Sequence, residues 1–252
     1  MSTSRARMLA ILDCFSDRAA AWTAEDLHDQ LGCSKPTAYR YVKELCNAGL
    51  LLRISGGLYT LGPRILELDL IIRRSDPLMR AAQPIMRALV DQTEGDALLA
   101  NLYGDQVMNV HREDGPKPAV ISYDRGRPHP LFRGSTSKAV LPFLPRAQLK
   151  RIYGAHAEDC RRAGLGSTWE EFVAALAPIR RSGYVIGHGE LDPHVIGIAA
   201  PIFADEKRVF GSLTLILSKS RYDLLDKERI LGALLDASRR ITSALGRLSG
   251  SQ

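Results

Sequence analysis

Between Trp22 and Gly49 the sequence places two helix-forming segments almost end to end, with only Gly32 and Cys33 separating the first from the cap of the second. Thr23 stands ahead of the first segment and Asp26 follows three residues on, so each can satisfy a free amide of the opening turn, as in a capping box. Leu27 and Leu31 give that helix an apolar side, and Gly32 supplies the left-handed residue at which helices end. Ser34 caps the second segment, and Pro36 lies in its first turn, where a missing N–H costs little. This helix is predicted to run to Ala48 and close at Gly49. Upstream, Met8, Ile11, Leu12 and Phe15 follow the i, i+3, i+4, i+7 spacing of a further amphipathic helix. Helix, short glycine-containing turn, helix is the spatial recipe of a helix-turn-helix.

The second of these helices has two distinct faces. Ala38, Tyr41, Val42 and Leu45 share the side that packs inward, while Pro36, Tyr39, Arg40, Lys43 and Asn47 share the other. Two β-prone runs, Leu50 to Ile54 and Leu58 to Leu61, flank Ser55-Gly56-Gly57 and read as a hairpin. Three helices and a hairpin make a winged helix-turn-helix. The whole chain carries 34 bases and 28 acids for a net charge of +6, which is compatible with nucleic acid without locating it. Local counting is sharper: from Cys33 to Leu66 the bases are Lys35, Arg40, Lys43, Arg53 and Arg64, against Glu44 as the one acid.

Beyond the hairpin, Ile65, Leu68, Ile71 and Ile72 suit a connecting helix, interrupted at Asp76-Pro77 because the residue before proline is pushed out of helical geometry. The domain division is therefore 1–62, a linker helix over 63–76, and 77–252. A helix is expected over 77–92, then strands over 97–103, 106–112, 120–123, 184–186, 195–203 and 209–217. Further helices are expected over 137–144, 147–153, 169–181 and 226–247. A mixed sheet with helices on its faces is an α+β domain with a core of its own. The content of 45% hydrophobic and 25% charged residues in a chain of 252 excludes a disordered or fibrous protein. The longest uncharged apolar stretch, Val195 to Ala204, is about half of the ~20 residues a membrane-spanning helix needs. Asp13 and Asp17 break the apolar patch near the N-terminus, so no signal peptide is read and a cytoplasmic location is expected. Cys14, Cys33, Cys46 and Cys160 lack C-x-x-C spacing and read as buried free thiols.

LGCSKPTAYRYVKELCNAGLLLR, followed by Tyr59-Thr60-Leu61-Gly62, resembles the DNA-binding half of IclR-family transcriptional regulators. Ser182-Gly183-Tyr184, Glu190, Gly197-Ile198-Ala199-Ala200-Pro201-Ile202 and Val209-Phe210-Gly211-Ser212-Leu213 resemble the effector-binding half. The resemblance covers nearly the whole chain. It implies a winged helix-turn-helix joined by a linker helix to a GAF-like α/β domain, in a regulator rather than an enzyme. It also implies operator DNA, a small organic acid effector, and assembly as a homodimer or tetramer on palindromic sites. No cofactor is implied, and RNA polymerase is a further partner if the regulator activates. One loop departs from the family pattern: Arg133-Gly134 replace a small residue and a threonine, and Ser137 replaces a glycine. That loop borders the family's effector pocket and resembles the subset controlling aromatic-acid catabolism.

For DNA, the candidates are Ser34, Lys35, Thr37, Tyr39, Arg40, Lys43 and Arg53. Arg40 is the choice for a base edge, because its planar fork can pair with guanine, while Lys35 and Lys43 suit phosphates. For the effector, the candidates are Arg133, Gly134, Ser135 and Thr136 at a helix start, Gly197 and Ile198 on one strand, Thr214 and Ile216 on the next, and Asn101 and Tyr103 opposite. Arg133 is expected to pair with the ligand's carboxylate, and Gly197 to leave room for its bulk. The run DRGRPHP, with Arg125, Arg127 and His129, reads mainly as a polar connecting loop, the alternative being that one of the three closes over the ligand. His188, Glu190, Asp192 and His194 are weak candidates for a metal. Ser135-x-x-Lys138 matches an acyl-enzyme motif but lacks the S-D-N and K-T-G partners that chemistry needs. The alternatives are a metal-binding regulator and a DNA-binding repressor with no ligand.

Overall fold

The computed structural model describes residues 4–16, 18–205 and 208–249. Asp17 of the N-terminal reading lies outside them. The chain divides into two compact units after Asp76.

In the first unit, α1 (Ser4–Leu9) is followed by a 3-10 turn at Leu12–Cys14, so the expected single helix through Phe15 is two shorter pieces. β1 (Trp22–Thr23) leads into α2 (Ala24–Leu31). The capping box is present: Asp26 N–H donates to Thr23 Oγ1 and Thr23 N–H to Asp26 Oδ2, each at 3.1 Å. The Thr23 hydroxyl, which donates to Asp26 Oδ2 at 2.6 Å, and then the Thr23 N–H hold the Asp26 carboxyl below the usual carboxylate range. Gly32 ends the helix at φ 56. α3 (Lys35–Asn47) has Ser34 at its cap position, but the Ser34 hydroxyl bonds Thr37 Oγ1 at 2.8 Å instead of a backbone amide. The Ser34 carbonyl takes the Thr37 and Ala38 amides, so the expected side-chain cap is replaced by a side-chain pair. β2 (Leu51–Arg53) and β3 (Leu58–Leu61) form the hairpin, and β1 adds to its β3 edge. Ile11, Leu27, Tyr41, Val42, Leu45 and Leu51 make the core. α4 (Pro63–Ser75) buries none of its residues within this unit.

The second unit opens with α5 (Pro77–Thr93), then β4 (Asp96–Tyr103) and β5 (Gln106–Glu113). The strand expected over 120–123 does not form. Val120 is 94% exposed, and the segment is instead tied down by Ala119 N–H to Asp96 Oδ2 and Ser122 N–H to Asp192. The next strand is β6 (Pro128–His129). The helix expected over 137–144 starts earlier and is broken. α6 (Ser135–Lys138) is a single turn and a 3-10 turn follows at Leu141–Phe143, because Pro142 has no N–H with which to extend the ladder. α7 (Arg146–Ala155), α8 (Ala157–Arg162) and α9 (Trp169–Ser182) follow, then β7 (Val185–His188), β8 (Val195–Phe203), β9 (Val209–Ser218), α10 (Lys219–Tyr222) and α11 (Lys227–Ser249).

Among the described residues, six strands form one antiparallel sheet in the order β6-β5-β4-β9-β8-β7. Side chains alternate across it. Leu99, Ile196, Ile198, Ala200, Leu213 and Leu215 face α5 and α11, joining Met86, Leu89, Leu234 and Ile241 in one core. On the other face, Ala100 and Val107 pack with Val140, Leu141, Phe172 and Leu176. The rest of that face is where the pocket lies. All four cysteines are free; Cys33 and Cys160 are buried, while Cys14 and Cys46 are half-buried.

Candidate functional site

The outer face of α3 is the first site. Ala38, Tyr41, Val42 and Leu45 turn inward, which leaves Lys35, Tyr39, Arg40 and Lys43 exposed on the opposite side. Thr37 is half-buried against Ser34. The Arg40 guanidinium sits 5.6 Å from the centre of the Tyr41 ring. The Tyr39 hydroxyl donates to Glu25 Oε1 at 3.1 Å, a bond that raises its phenol above the ordinary range. Arg53 is exposed on β2, opposite Tyr59, and the hairpin tip passes through Gly56 and Gly57 at φ 74 and 75. Among the described residues, none of Lys35, Arg40, Lys43 or Arg53 forms an ion pair, whereas Arg64 and Arg73 on α4 pair with Glu67 and Asp69. Unneutralised cations on the exposed face of a helix and on an adjoining hairpin suit a polyanion.

The second site is a small pocket beside α6, open at its mouth. Leu98, Ile121, Leu191, Val195 and Ile216 give it apolar walls; Tyr123, His129, Ser135, Thr136, Glu190 and Asp192 contribute polar groups. Its floor is a close approach of α6 to the sheet. A Cβ at Gly197 would come within 2.5 Å of Ser135 Oγ, so glycine there makes room for Ser135 rather than for a ligand's bulk. Gly134 has φ 80 and its N–H donates to Glu190 Oε2 at 3.1 Å; a Cβ there would meet Leu191 Cδ1 at 2.7 Å. Lys138 Nζ reaches the same Glu190 oxygen at 2.6 Å. The loop beside α6 thus holds a carboxylate, and that carboxylate belongs to the protein.

Of the residues expected at the pocket, Gly134, Ser135, Thr136, Gly197 and Ile216 line it. Thr214 lies just behind the wall, its Oγ1 3.0 Å from that of Thr136. The others need correction. Ile198 lies opposite Leu215 and points with it to the α5–α11 core, because adjacent strand residues face opposite ways. Asn101 shares the parity of Ala97 and Leu99 and lies toward the far end of β4, and Tyr103 is 53% exposed there. Arg133 is exposed and its guanidinium bonds the Glu190 backbone carbonyl, so it buttresses the loop from outside. The metal candidates diverge: the His188 ring lies against Tyr222, Glu190 binds Lys138, Asp192 accepts from Ser122 and His194 is exposed. Among the described residues no cluster of three metal-binding side chains occurs.

Residues the sequence reading missed include Leu98, Tyr123, Gly187, Leu191 and Val195. Leu98 follows once β4 is paired with β9, since it lies opposite Thr214 and shares its face. His129 was read as part of a polar loop, yet it pairs with Val107 in the edge strand and is buried. No local pattern marks the rest, which meet through loops distant in sequence.

Comparison with known proteins bears on both sites. Residues 4–54 match the IclR helix-turn-helix domain, and residues 72–243 match the bacterial transcriptional regulator IclR C-terminal domain. The chain is 25% identical over 243 residues to the HTH-type transcriptional regulator KipR of Bacillus subtilis, covering 93% of this chain and 95% of KipR. It is 26% identical over 246 residues to the Pca regulon regulatory protein of Pseudomonas putida, covering 96% of this chain and 84% of that protein. An IclR homologue from Microbacterium hydrocarbonoxydans, solved in complex with 4-hydroxybenzoate, has the same fold at a TM-score of 0.71 and 23% identity, covering 96% and 99% of the two chains. The relatives matched are regulators and not enzymes. With both domain models matched in order, and the second spanning more than half of its length, the chain belongs to the IclR family of transcriptional regulators.

Proposed function

We propose that this regulator binds a palindromic operator as a dimer or a dimer of dimers, and that a small aromatic carboxylic acid in the sheet-face pocket modulates that binding to control catabolic genes. In this reading 1–62 contacts DNA, 63–76 transmits and 77–252 senses. α3 enters the major groove with Arg40 on a base edge, Lys35 and Lys43 on phosphates, and Ser34, Thr37 and Tyr39 beside them. Arg53 follows the hairpin to the adjacent backbone. The apolar residues that α4 exposes, with Leu66 at 74% and Ile72 at 55%, supply the surface for pairing two copies.

The observation that carries the sensing reading is the pocket itself, concave and mostly apolar with a few convergent polar groups, as small-molecule sites are. The Microbacterium homologue, with 4-hydroxybenzoate bound, supports the ligand class. The effector's carboxylate competes with that of Glu190 for the Gly134 N–H and Lys138 Nζ. Displacing Glu190 moves the loop after β7, and the coupling to DNA binding is worth about 1–3 kcal/mol. A neutral hydroxylated ligand is the second reading, favoured by Glu190 and Asp192 standing on the wall.

Titration of the full-length protein with a panel of aromatic acids and neutral polyols, paired with gel-shift of the promoter fragment beside its gene, tests both readings. An acid that binds and alters the shift is the expected result. Binding by the polyols alone selects the second reading, and binding by neither class overturns the sensing role.

A further inference from the structure

We infer that His129 is the specificity-determining residue of the pocket, its imidazole hydrogen-bonding a ring hydroxyl of the bound effector. The inference rests on the sensing reading above and adds the group that the ligand must carry. His129 is only 6% exposed and lies on the pocket wall. Among the described residues, neither its Nδ1 nor its Nε2 has a hydrogen-bond partner. Buried polar atoms are nearly always paired, because an unpaired one keeps the whole cost of leaving water. Two such atoms on one ring, at the wall of a concave site, point to a partner that arrives with the ligand.

The ring is held in place rather than adrift. Its backbone pairs with Val107 at the sheet edge, and its face stacks on Tyr123 at 5.3 Å between centroids and 26° between planes. Arg127 covers Tyr123, 5.2 Å from its centroid, while donating to the Ser122 carbonyl at 2.7 Å. Asn109 Oδ1, buried on the same sheet face, is likewise without a partner, although its Nδ2 donates to the Tyr123 carbonyl.

The protonation state selects the partner. Burial pushes the His129 imidazole down to about 4 against the pull of the Asp192 charge, so at neutral pH it offers one N–H and one lone pair. A hydroxyl both donates and accepts and so satisfies either tautomer. An ammonium could meet only the lone pair, and a carboxylate only the N–H. A site that buries an unpaired hydrogen-bonding group discriminates strongly against a ligand lacking the match.

The test is calorimetric titration of benzoate and of its 2-, 3- and 4-hydroxy derivatives into the full-length wild type, His129→Phe and His129→Gln, with thermal melting as a check on folding. Phe keeps the stacking on Tyr123, and Gln keeps a donor and an acceptor. At least one hydroxybenzoate should bind the wild type about tenfold more tightly than benzoate, an advantage that falls to about twofold or less in His129→Phe and survives in His129→Gln. An unchanged preference in His129→Phe, or no preference in the wild type, overturns the role of His129 and leaves the acid-sensing reading standing. No binding of any of these acids to the wild type removes the benzoate class and this inference together.

Discussion

The helix-turn-helix unit and the sheet-face pocket distribute their working side chains in opposite ways. In the first, Lys35, Arg40 and Lys43 lie along one exposed face of a single helix, and the same periodicity that buries Ala38, Val42 and Leu45 sets where they point. In the second, Leu98, His129, Ser135, Glu190 and Ile216 come from separate elements and meet only after the sheet has paired. The contacts closing the pocket span long separations: Ser122 to Asp192 is 70 residues, and Gly134 to Glu190 is 56. A surface for DNA can be built by one helix and its cap, whereas a pocket needs register. The electrostatics differ as well, with unpaired cations outside and a neutral imidazole and an already paired carboxylate inside.

The largest expected effect tests whether the two sites stand on separate cores. Leu45, 2% exposed, packs only within the first core, so Leu45→Ala should destabilise that unit by about 2–5 kcal/mol. Urea unfolding followed by the fluorescence of Trp22 and Trp169 reads the loss. Operator binding should collapse, while effector affinity, read by calorimetry, stays within about twofold. A comparable loss of effector affinity would break the comparison.

Acid should act on the pocket's side of the molecule. The unfolded chain protonates His129 near 6.5 and the folded chain only near 4, so between these values the unfolded state binds more protons and stability falls as pH falls. The contribution is complete above about pH 6.5, has lost about 2 kcal/mol by pH 5, and is gone below about pH 4. Urea unfolding at pH 7 and pH 5 should therefore show a smaller loss in His129→Phe than in the wild type. Equal slopes would mean that the imidazole is not buried neutral.

The third effect sharpens the DNA side. Arg40→Ala should cost about 1–3 kcal/mol of operator affinity and relax base preference at one position of each half-site, measured by competition gel-shift with substituted operators. Uniform weakening across all sequences would instead place Arg40 on a phosphate.

The sequence by itself determined the helix-turn-helix and hairpin of the first unit, though not the split of its N-terminal helix, the Ser34–Thr37 pair or the short β1. Thr23 and Asp26, Gly32, Pro36 and the Gly56-Gly57 tip are short-range devices whose geometry needs no distant partner, and the structure has each in its expected place. It also determined the family and the main run of strands and helices. At the pocket, where sequence reading failed, the deciding interactions were remote. The run at 120–123 is β-prone, yet Asp96 and Asp192 hold it as an irregular segment. Gly197 and Ile198 are neighbours in sequence, and only the pairing of β8 with β9 against α5 and α11 separated them, one to the pocket and one to the core. Arg133 was the evident partner for an acid until Glu190 proved to hold it from outside and to take Lys138 as well. His129 sits in a loop-like run, and only the joining of β6 to the sheet edge buries it. The physical reason is the same throughout. A helix carries its own hydrogen bonds and presents a face set by its 3.6-residue period, while a strand borrows both its bonds and its facing from partners elsewhere in the chain.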